Sequence, residues 1–224
     1  MTKTHELIFL FDVDNTLLDN DRMKADMGQH VLETFGSGAR DELWALYEAE
    51  RTKHGYADFL GTLEKFRLAH LADMRVLRLA NWVMDYPFIE RLYPDALAVV
   101  RHVSQWGLPV ILTDGDGVFQ PHKLERAGLV TAFDGHVLNY VHKEKELDDV
   151  KRNYPARHYV LIDDKLALLD AFKRAWGNGV TTVFPRQGHY ANNTDNLVGL
   201  PPADIEVVRI ADLMEHDFSE HLPA

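Results

Sequence analysis

Asp12-Val13-Asp14-Asn15-Thr16 follows directly on the apolar run Leu7-Ile8-Phe9-Leu10-Phe11, and this junction constrains the chain more than any other stretch. Five apolar residues are too few for a membrane helix and suit a strand buried on both faces. Residues two apart on a strand point to the same face with Cα atoms about 6–7 Å apart. Asp12 and Asp14 therefore converge at the strand's C-terminal end, the edge where open α/β sheets bind their ligands. Two carboxylates so close are costly to ionise together unless a cation or a shared proton relieves them. The pair implies a hard metal, a nucleophile with an acid, or both. A solvated turn uses the same residue types, but it does not account for the buried strand in front of them.

Beyond Leu18 the apolar spacing changes to three and four. Met23, Met27, Val31 and Phe35 form one helical stripe; Leu43, Leu46 and Tyr47 a second; Phe59, Leu63 and Phe66 a third; Val76, Ala80 and Val83 a fourth that stops before Pro87. No strand candidate lies between Asn20 and Pro87. An all-helical block directly after a buried strand reads as an inserted small domain, residues 18–89, within a core of residues 1–17 and 90–224. Its apolar stripes read as that domain's own core.

Strand and helix then alternate. Pro94 suits the first turn of a helix with Ala96, Val99, Val100, Val103 and Trp106 on its inner face. Pro109-Val110-Ile111-Leu112 runs into Thr113-Asp114-Gly115-Asp116-Gly117. A helix to Ala127, a weak strand at Val137 and Leu138, and a charged helix from Glu144 to Asn153 come next. Tyr159-Val160-Leu161-Ile162 is then the third strand to finish in acid, at Asp163-Asp164. A helix Leu166–Trp176, a strand Val180–Phe184 and a short strand and helix over Ile205–Ile210 close the pattern, with 191–202 as a surface loop. This order predicts a three-layer, Rossmann-like α/β fold: a mainly parallel sheet with helices on both faces and an inserted helical cap. Such a sheet brings Asp12, Asp14, Thr113, Asp163 and Asp164 to one edge.

Composition limits the partners. A formal charge of −11 over 224 residues argues against nucleic-acid or anionic-membrane surfaces, which need a basic face. A negatively charged substrate stays open where local positive charge awaits it. With no cysteine there is no disulfide, thiolate nucleophile or thiolate metal site. No run approaches the ~20 apolar residues of a membrane span or a signal peptide's apolar region. A soluble, unprocessed, cytoplasmic protein is expected.

The Asp12-Val13-Asp14-Asn15-Thr16 motif, Thr113-Asp114-Gly115 after a strand, a lysine near Lys143 and the late Asp163-Asp164 pair closely resemble the four motifs of the haloacid dehalogenase superfamily. Most of its members are Mg²⁺-dependent phosphatases, and the helical insert resembles the superfamily's C1-type cap. The resemblance implies that Asp12 attacks phosphorus and that Asp14, protonated beside it, serves as general acid and then base. Thr113 and a lysine, Lys143 rather than Lys145, would balance phosphoryl charge. It implies Mg²⁺ on Asp12, the Asp14 main-chain carbonyl and Asp164, with Asp163 beside that ligand. The Lys-Pro signature of many relatives and the commoner Gly-Asp form of the last motif are both missing.

Thr113, Asp114 and Gly115 are expected to meet a small phosphorylated metabolite, although Asp114 and Asp116 suit simple turn chemistry equally. Arg51-Thr52-Lys53-His54-Gly55-Tyr56 joins two cap helices and looks like a specificity loop placing Arg51 and Lys53 over the substrate. Basic residues that favour a helix C-terminus explain it too. A phosphomutase would use the same residues. A phosphonate hydrolase would need a Schiff-base lysine in the cap, for which Lys24, Lys53 and Lys65 are candidates. Dehalogenases of the superfamily lack an acid at the position of Asp14. The long insert argues against a phospho-acceptor receiver module, and measurable turnover would exclude an idle binding module.

Overall fold

Strand β1 (His5–Phe11) stands inside a six-stranded parallel sheet, and its alternating side chains supply two separate cores. Leu7, Phe9 and Phe11 face one way and join Ile111, Val160, Ile162 and Val183 from neighbouring strands. Ile8 and Leu10 face the other way, with Val110, Leu112, Tyr159 and Leu161. A strand buried on both faces is uniformly apolar, which is why the run carries no polar alternation. The structure, a computed structural model, describes residues 4–222; residues 1–3 and 223–224, the outermost ends of the expected core segments, lie outside the described residues.

After β1 the chain forms helices α1 (Asn20–Phe35), α2 (Ser37–His54), α3 (Phe59–Ala69) and α4 (Arg75–Met84), then a 3₁₀ turn at Phe88–Arg91. There follow α5 (Ala96–Val103), β2 (Leu108–Asp114), α6 (Phe119–Arg126), α7 (Leu129–Ala132), β3 (Val137–Tyr140), α8 (Leu147–Asn153) and β4 (Ala156–Ile162). The chain ends with α9 (Leu166–Trp176), β5 (Val180–Pro185), α10 (Gly188–Asn192) and β6 (Ile205–Val207). The sheet order is β3-β2-β1-β4-β5-β6, parallel throughout, with helices covering both faces: a Rossmann-like α/β fold. The chain reverses direction across the sheet at β1, so the β1, β2 and β4 ends surround a crevice.

Apolar packing continues from the sheet into the helical block. Met23, Met27, Val31, Leu43, Phe59 and Phe66 belong to the same buried cluster as Phe9 and Phe11. The two segments that enter and leave the block are hydrogen-bonded to each other. Tyr93 N donates to Leu17 O at 2.9 Å and Asp19 N to Arg91 O at 2.7 Å, with an antiparallel bridge between Leu18 and Leu92. Among the described residues no helix is long and apolar enough to cross a membrane.

Three expected boundaries shift. The helix expected from Glu144 begins only at Leu147, because 143–145 form a 3₁₀ turn that turns Lys143 inward. The loop expected over 191–202 opens inside α10, where Ala191 is buried against the second core. After β6 the chain makes 3₁₀ turns over Ile210–Glu215 rather than an α-helix.

Phe9 is fully buried and meets Phe218 edge-on at 5.1 Å, joining the sheet to the C-terminal segment. Phe9→Ala should lower unfolding stability by about 3–5 kcal/mol, read as a reduced urea midpoint at unchanged slope.

Candidate active site

Backbone pairing fixes the acids at the sheet edge. Asp12 N donates to Ile162 O at 2.9 Å, and Asp163 N to Val183 O at 3.2 Å, so both residues sit one step beyond their strands. Asp164 N donates to Thr16 Oγ1 at 3.1 Å, which ties the last acidic pair to the first motif. Asp12, Asp163 and Asp164 are all buried, with ligand oxygens within 4.8 Å of one another. Such crowding of like charge requires a counter-charge.

Part of that counter-charge is Lys143. Its Nζ donates to Asp12 Oδ1 at 2.5 Å and to Leu112 O at 3.1 Å, and lies 2.7 Å from Asp163 Oδ2. Burial works against the ammonium, but Asp12, Asp163 and Asp114 outweigh it and hold its pKa above the ordinary lysine value. Lys145, the other candidate, is exposed. Asp114 Oδ1 accepts from Lys143 N at 2.8 Å, so this residue braces the turn that aims the lysine. Asp116 Oδ1 accepts from Val118 N and Phe119 N at 2.8 and 2.7 Å, a turn role at the entrance to α6.

Asp164 is different. Both of its carboxylate oxygens are buried without a hydrogen-bond partner. Burial, and then the charges of Asp163 and Asp12, push its pKa well up. Asp163 is raised to about 6, chiefly by burial and against the pull of Lys143. A buried carboxylate with no donor is the chemistry expected of a cation ligand, and oxygen-only donors suit a hard ion such as Mg²⁺. The donor set therefore fits a metal held by Asp12 and Asp164, while Asp163 is engaged with Lys143. A second grouping, Glu50, His54 and Asp58, has its acids engaged, Glu50 by Lys65 and Asp58 by Gly61 N at 2.7 Å.

Asp14 does not sit free beside Asp12. Lys123 Nζ, from α6, donates to both of its oxygens at 2.6 and 2.7 Å. Both oxygens are taken up by an ammonium that the sequence pattern did not reveal, so the expected acid–base role of Asp14 requires this pair to part. Thr113 is buried and its Oγ1 accepts from Gln120 Nε2 at 2.9 Å, leaving the hydroxyl hydrogen free to donate elsewhere. Gly115 lies against Gln120, where an added Cβ would stand 2.6 Å from that side chain's Cβ.

Asp14 and Lys123, with Lys165, Lys24, Tyr47 and Arg51, line a cavity of about 120 Å³, whereas the buried Asp12, Thr113, Lys143, Asp163 and Asp164 are not part of its lining. Asp114 and Gly115 also reach it. Arg51 lies in the last turn of α2 before the left-handed Gly55. Lys53, expected beside it, is exposed and does not line the cavity, because two residues along a helix is more than half a turn away. Of the three cap lysines only Lys24 lines it; Lys65 is paired with Glu50. On the rim, His189 Nδ1 lies 2.7 Å from Asp21 Oδ1, and its backbone N donates to Asp21 Oδ2 at 2.8 Å. Gly188 makes this approach possible: its φ is +68°, and a Cβ there would stand 2.4 Å from Asn15 Cβ.

Sequence reasoning missed Lys123, Lys165, Gln120 and His189. Lys165 had a signal, since it directly follows the acidic pair. Lys123 had a weaker one: it stands four residues after Phe119, on the helix face that is otherwise buried.

A model of the haloacid dehalogenase-like hydrolase family matches residues 7–175. No curated protein sequence matches the chain. Among solved structures, a protein of Burkholderia xenovorans LB400 described as a haloacid dehalogenase-like hydrolase is 50% identical, with a TM-score of 0.91 over 98% of this chain and 100% of that one. The fold is also shared at 15% identity with the magnesium-bound HAD-hydrolase YfnB of Bacillus subtilis, TM-score 0.61 over 95% and 98% of the two chains. The L-2-haloacid dehalogenase of Xanthobacter autotrophicus is 17% identical, TM-score 0.59 over 94% and 97%.

A cation at Asp164 must compete with protons. Carboxyls whose folded pKa is raised above the unfolded value bind protons more tightly when folded, so without metal they remove stability as pH rises from about 4 through about 6. Mg²⁺ should reverse this: its stabilising effect should be smallest at acid pH and grow as pH rises, because burial and the charges of Asp163 and Asp12 hold the Asp164 pKa well up. Saturation at a hundredfold excess over Kd corresponds to about 2.7 kcal/mol. Melting temperatures with and without Mg²⁺ across that pH range test this, and Asp164→Asn should abolish the Mg²⁺-dependent shift.

Proposed function

The chain belongs to the haloacid dehalogenase-like hydrolases, and on that premise we propose that it is a Mg²⁺-dependent phosphohydrolase of the C1-capped kind. Residues 18–89 act as the cap, and the substrate is a small phosphate monoester. The observation that carries this reading is Asp164, whose buried, unpartnered oxygens lie beside Asp12. A halide leaves without a proton, so a dehalogenase has no use for an acid at Asp14 and little for a cation at Asp164. Phosphoryl transfer uses both, because charge gathers on the peripheral and leaving oxygens. The magnesium in the Bacillus subtilis relative is consistent with the same choice of ion.

In this reading Asp12 and Asp164, with the Asp14 main-chain carbonyl, would hold Mg²⁺, which would supply positive charge against that of the phosphoryl group. Lys143 fixes the orientation of the Asp12 carboxylate, whose other oxygen attacks phosphorus while the phosphorus–oxygen bond to the leaving alcohol breaks. Thr113 donates its hydroxyl to a phosphoryl oxygen. Asp14, once parted from Lys123, carries the proton needed by the leaving oxygen. It later takes one from the water that attacks phosphorus, which releases phosphate and restores Asp12. Lys165 adds positive charge at the cavity wall, where Asp12 and Asp163 outweigh burial and keep it protonated.

Asp12→Asn should abolish phosphate release while leaving the melting profile folded, and EDTA should silence the wild type until Mg²⁺ is restored. L-2-chloropropionate should yield no chloride. Retention of more than a few per cent of activity by Asp12→Asn would refute the covalent route.

Asp14→Asn should cost about 10²–10⁴ in the phosphorylation step for an alkyl phosphate, and much less for p-nitrophenyl phosphate, whose leaving group needs no proton. Equal losses in single-turnover experiments would remove Asp14 from the acid role.

A further inference from the structure

Two cations on the helical wall of the cavity have no adequate partner. Lys123 is matched by both oxygens of Asp14, and Lys165 faces Asp114 at 4.0 Å and the Tyr190 ring at 5.2 Å. Lys24, half-buried on α1, has no carboxylate within ion-pair distance among the described residues; its ammonium lies 5.6 Å from the centre of the Tyr47 ring. Asp21, three residues before it, is committed to His189, and Asp26, two residues after it, to Arg22 and Arg91. Arg51 has only Glu48, at 3.4 Å, with both side chains around half exposed, and such a pair contributes little. In a chain of net charge −11, uncompensated positive charge gathered on one cavity wall is a directed feature.

We propose that Lys24 and Arg51 form a subsite for a second anionic group, so that the preferred substrate is a small phosphate ester that also bears a carboxylate or a second phosphate. The inference rests on the phosphohydrolase reading above for the end of the substrate that reacts. Tyr47 completes the subsite: burial raises its pKa, so its phenol stays protonated and can donate to an anion. The free protein is strained electrostatically there. Burial, then the charges of Arg51 and Lys123, counteract the help Lys24 receives from Asp21 and Asp14 and leave its pKa below the ordinary lysine value. An anion between Lys24 and Arg51 would relieve that strain, and binding energy from this unreactive end would orient the reacting phosphate.

The test compares kcat/KM, by phosphate release with Mg²⁺, for 3-phosphoglycerate, propane-1,3-diol bisphosphate and glycerol 3-phosphate. The first and last share a carbon skeleton and differ by a carboxylate. At least one acidic-tailed ester should exceed glycerol 3-phosphate by about tenfold or more, and which one does so identifies the second group. Lys24→Gln should collapse that ratio, and Lys24→Arg should preserve most of it. No preference in the wild type, or a preference that survives Lys24→Gln, overturns the subsite while leaving the phosphohydrolase reading intact. If Lys24→Gln does not fold, the same ratio in Arg51→Gln decides.

Malonate separates the two readings should none of the esters turn over. A malonate-induced rise in melting temperature that Lys24→Gln or Arg51→Gln removes supports the subsite and counts against phosphate-ester chemistry. A shift that neither variant changes, or no shift, overturns the subsite.

Discussion

The ammonium of Lys143, wedged between Asp12 and Asp163, is the contact on which the rest of this site depends. Three carboxylates buried at one sheet edge would repel one another and lose their hydration together. Lys143, with Lys165 nearby, offsets the charge of Asp12 and Asp163, and Asp164 is left as the acid with no partner of its own. The protein thus sets aside one acid for a cation by satisfying the others. Asp114 and the carbonyl of Leu112 hold the lysine from the β2 side, so the second strand's end serves to aim a residue as much as to face a substrate.

Most of the acidic edge could be read from the sequence because it follows from topology. A parallel sheet puts every strand's C-terminal residue on one side, so Asp12, Thr113 and Asp163 were legible as soon as three apolar runs ended in polar residues. The cap lysines and Lys123 were not legible in that way. Lys123 meets Asp14 across 109 positions of sequence, through a helix whose rotation is set by tertiary packing and not by any local signal. Asp14 consequently looked like a free acid when it is an anchored one. Likewise the basic run at 51–53 reads as one cationic patch, but helical rotation sends Arg51 inward and Lys53 to solvent. Periodicity predicts a face only when something apolar marks it, and α2 near its C-terminus carries charge on every side.

Local chemistry decided the smaller differences. Asp116 stands among glycines at a strand end and could have been a ligand, yet its carboxylate accepts from the backbone nitrogens of the following turn. The 3₁₀ turn over 143–145 costs α8 its first residues but places Lys143 under the sheet edge, where a regular α-helix from Glu144 would leave the lysine outside. Position within the fold, more than residue type, separates the functional lysine from its exposed neighbour Lys145.

The hydrogen-bonded pair of segments at 17–19 and 91–93 has a mechanical meaning. The chains entering and leaving the helical block run side by side there, so the block is moored to the sheet by a double tether rather than by two independent linkers. The apolar cluster shared with Phe9 and Phe11 and the pairing of His189 with Asp21 are further moorings of opposite character. Parting the block from the sheet would expose apolar surface at the first, while at the second water could replace the broken polar contact.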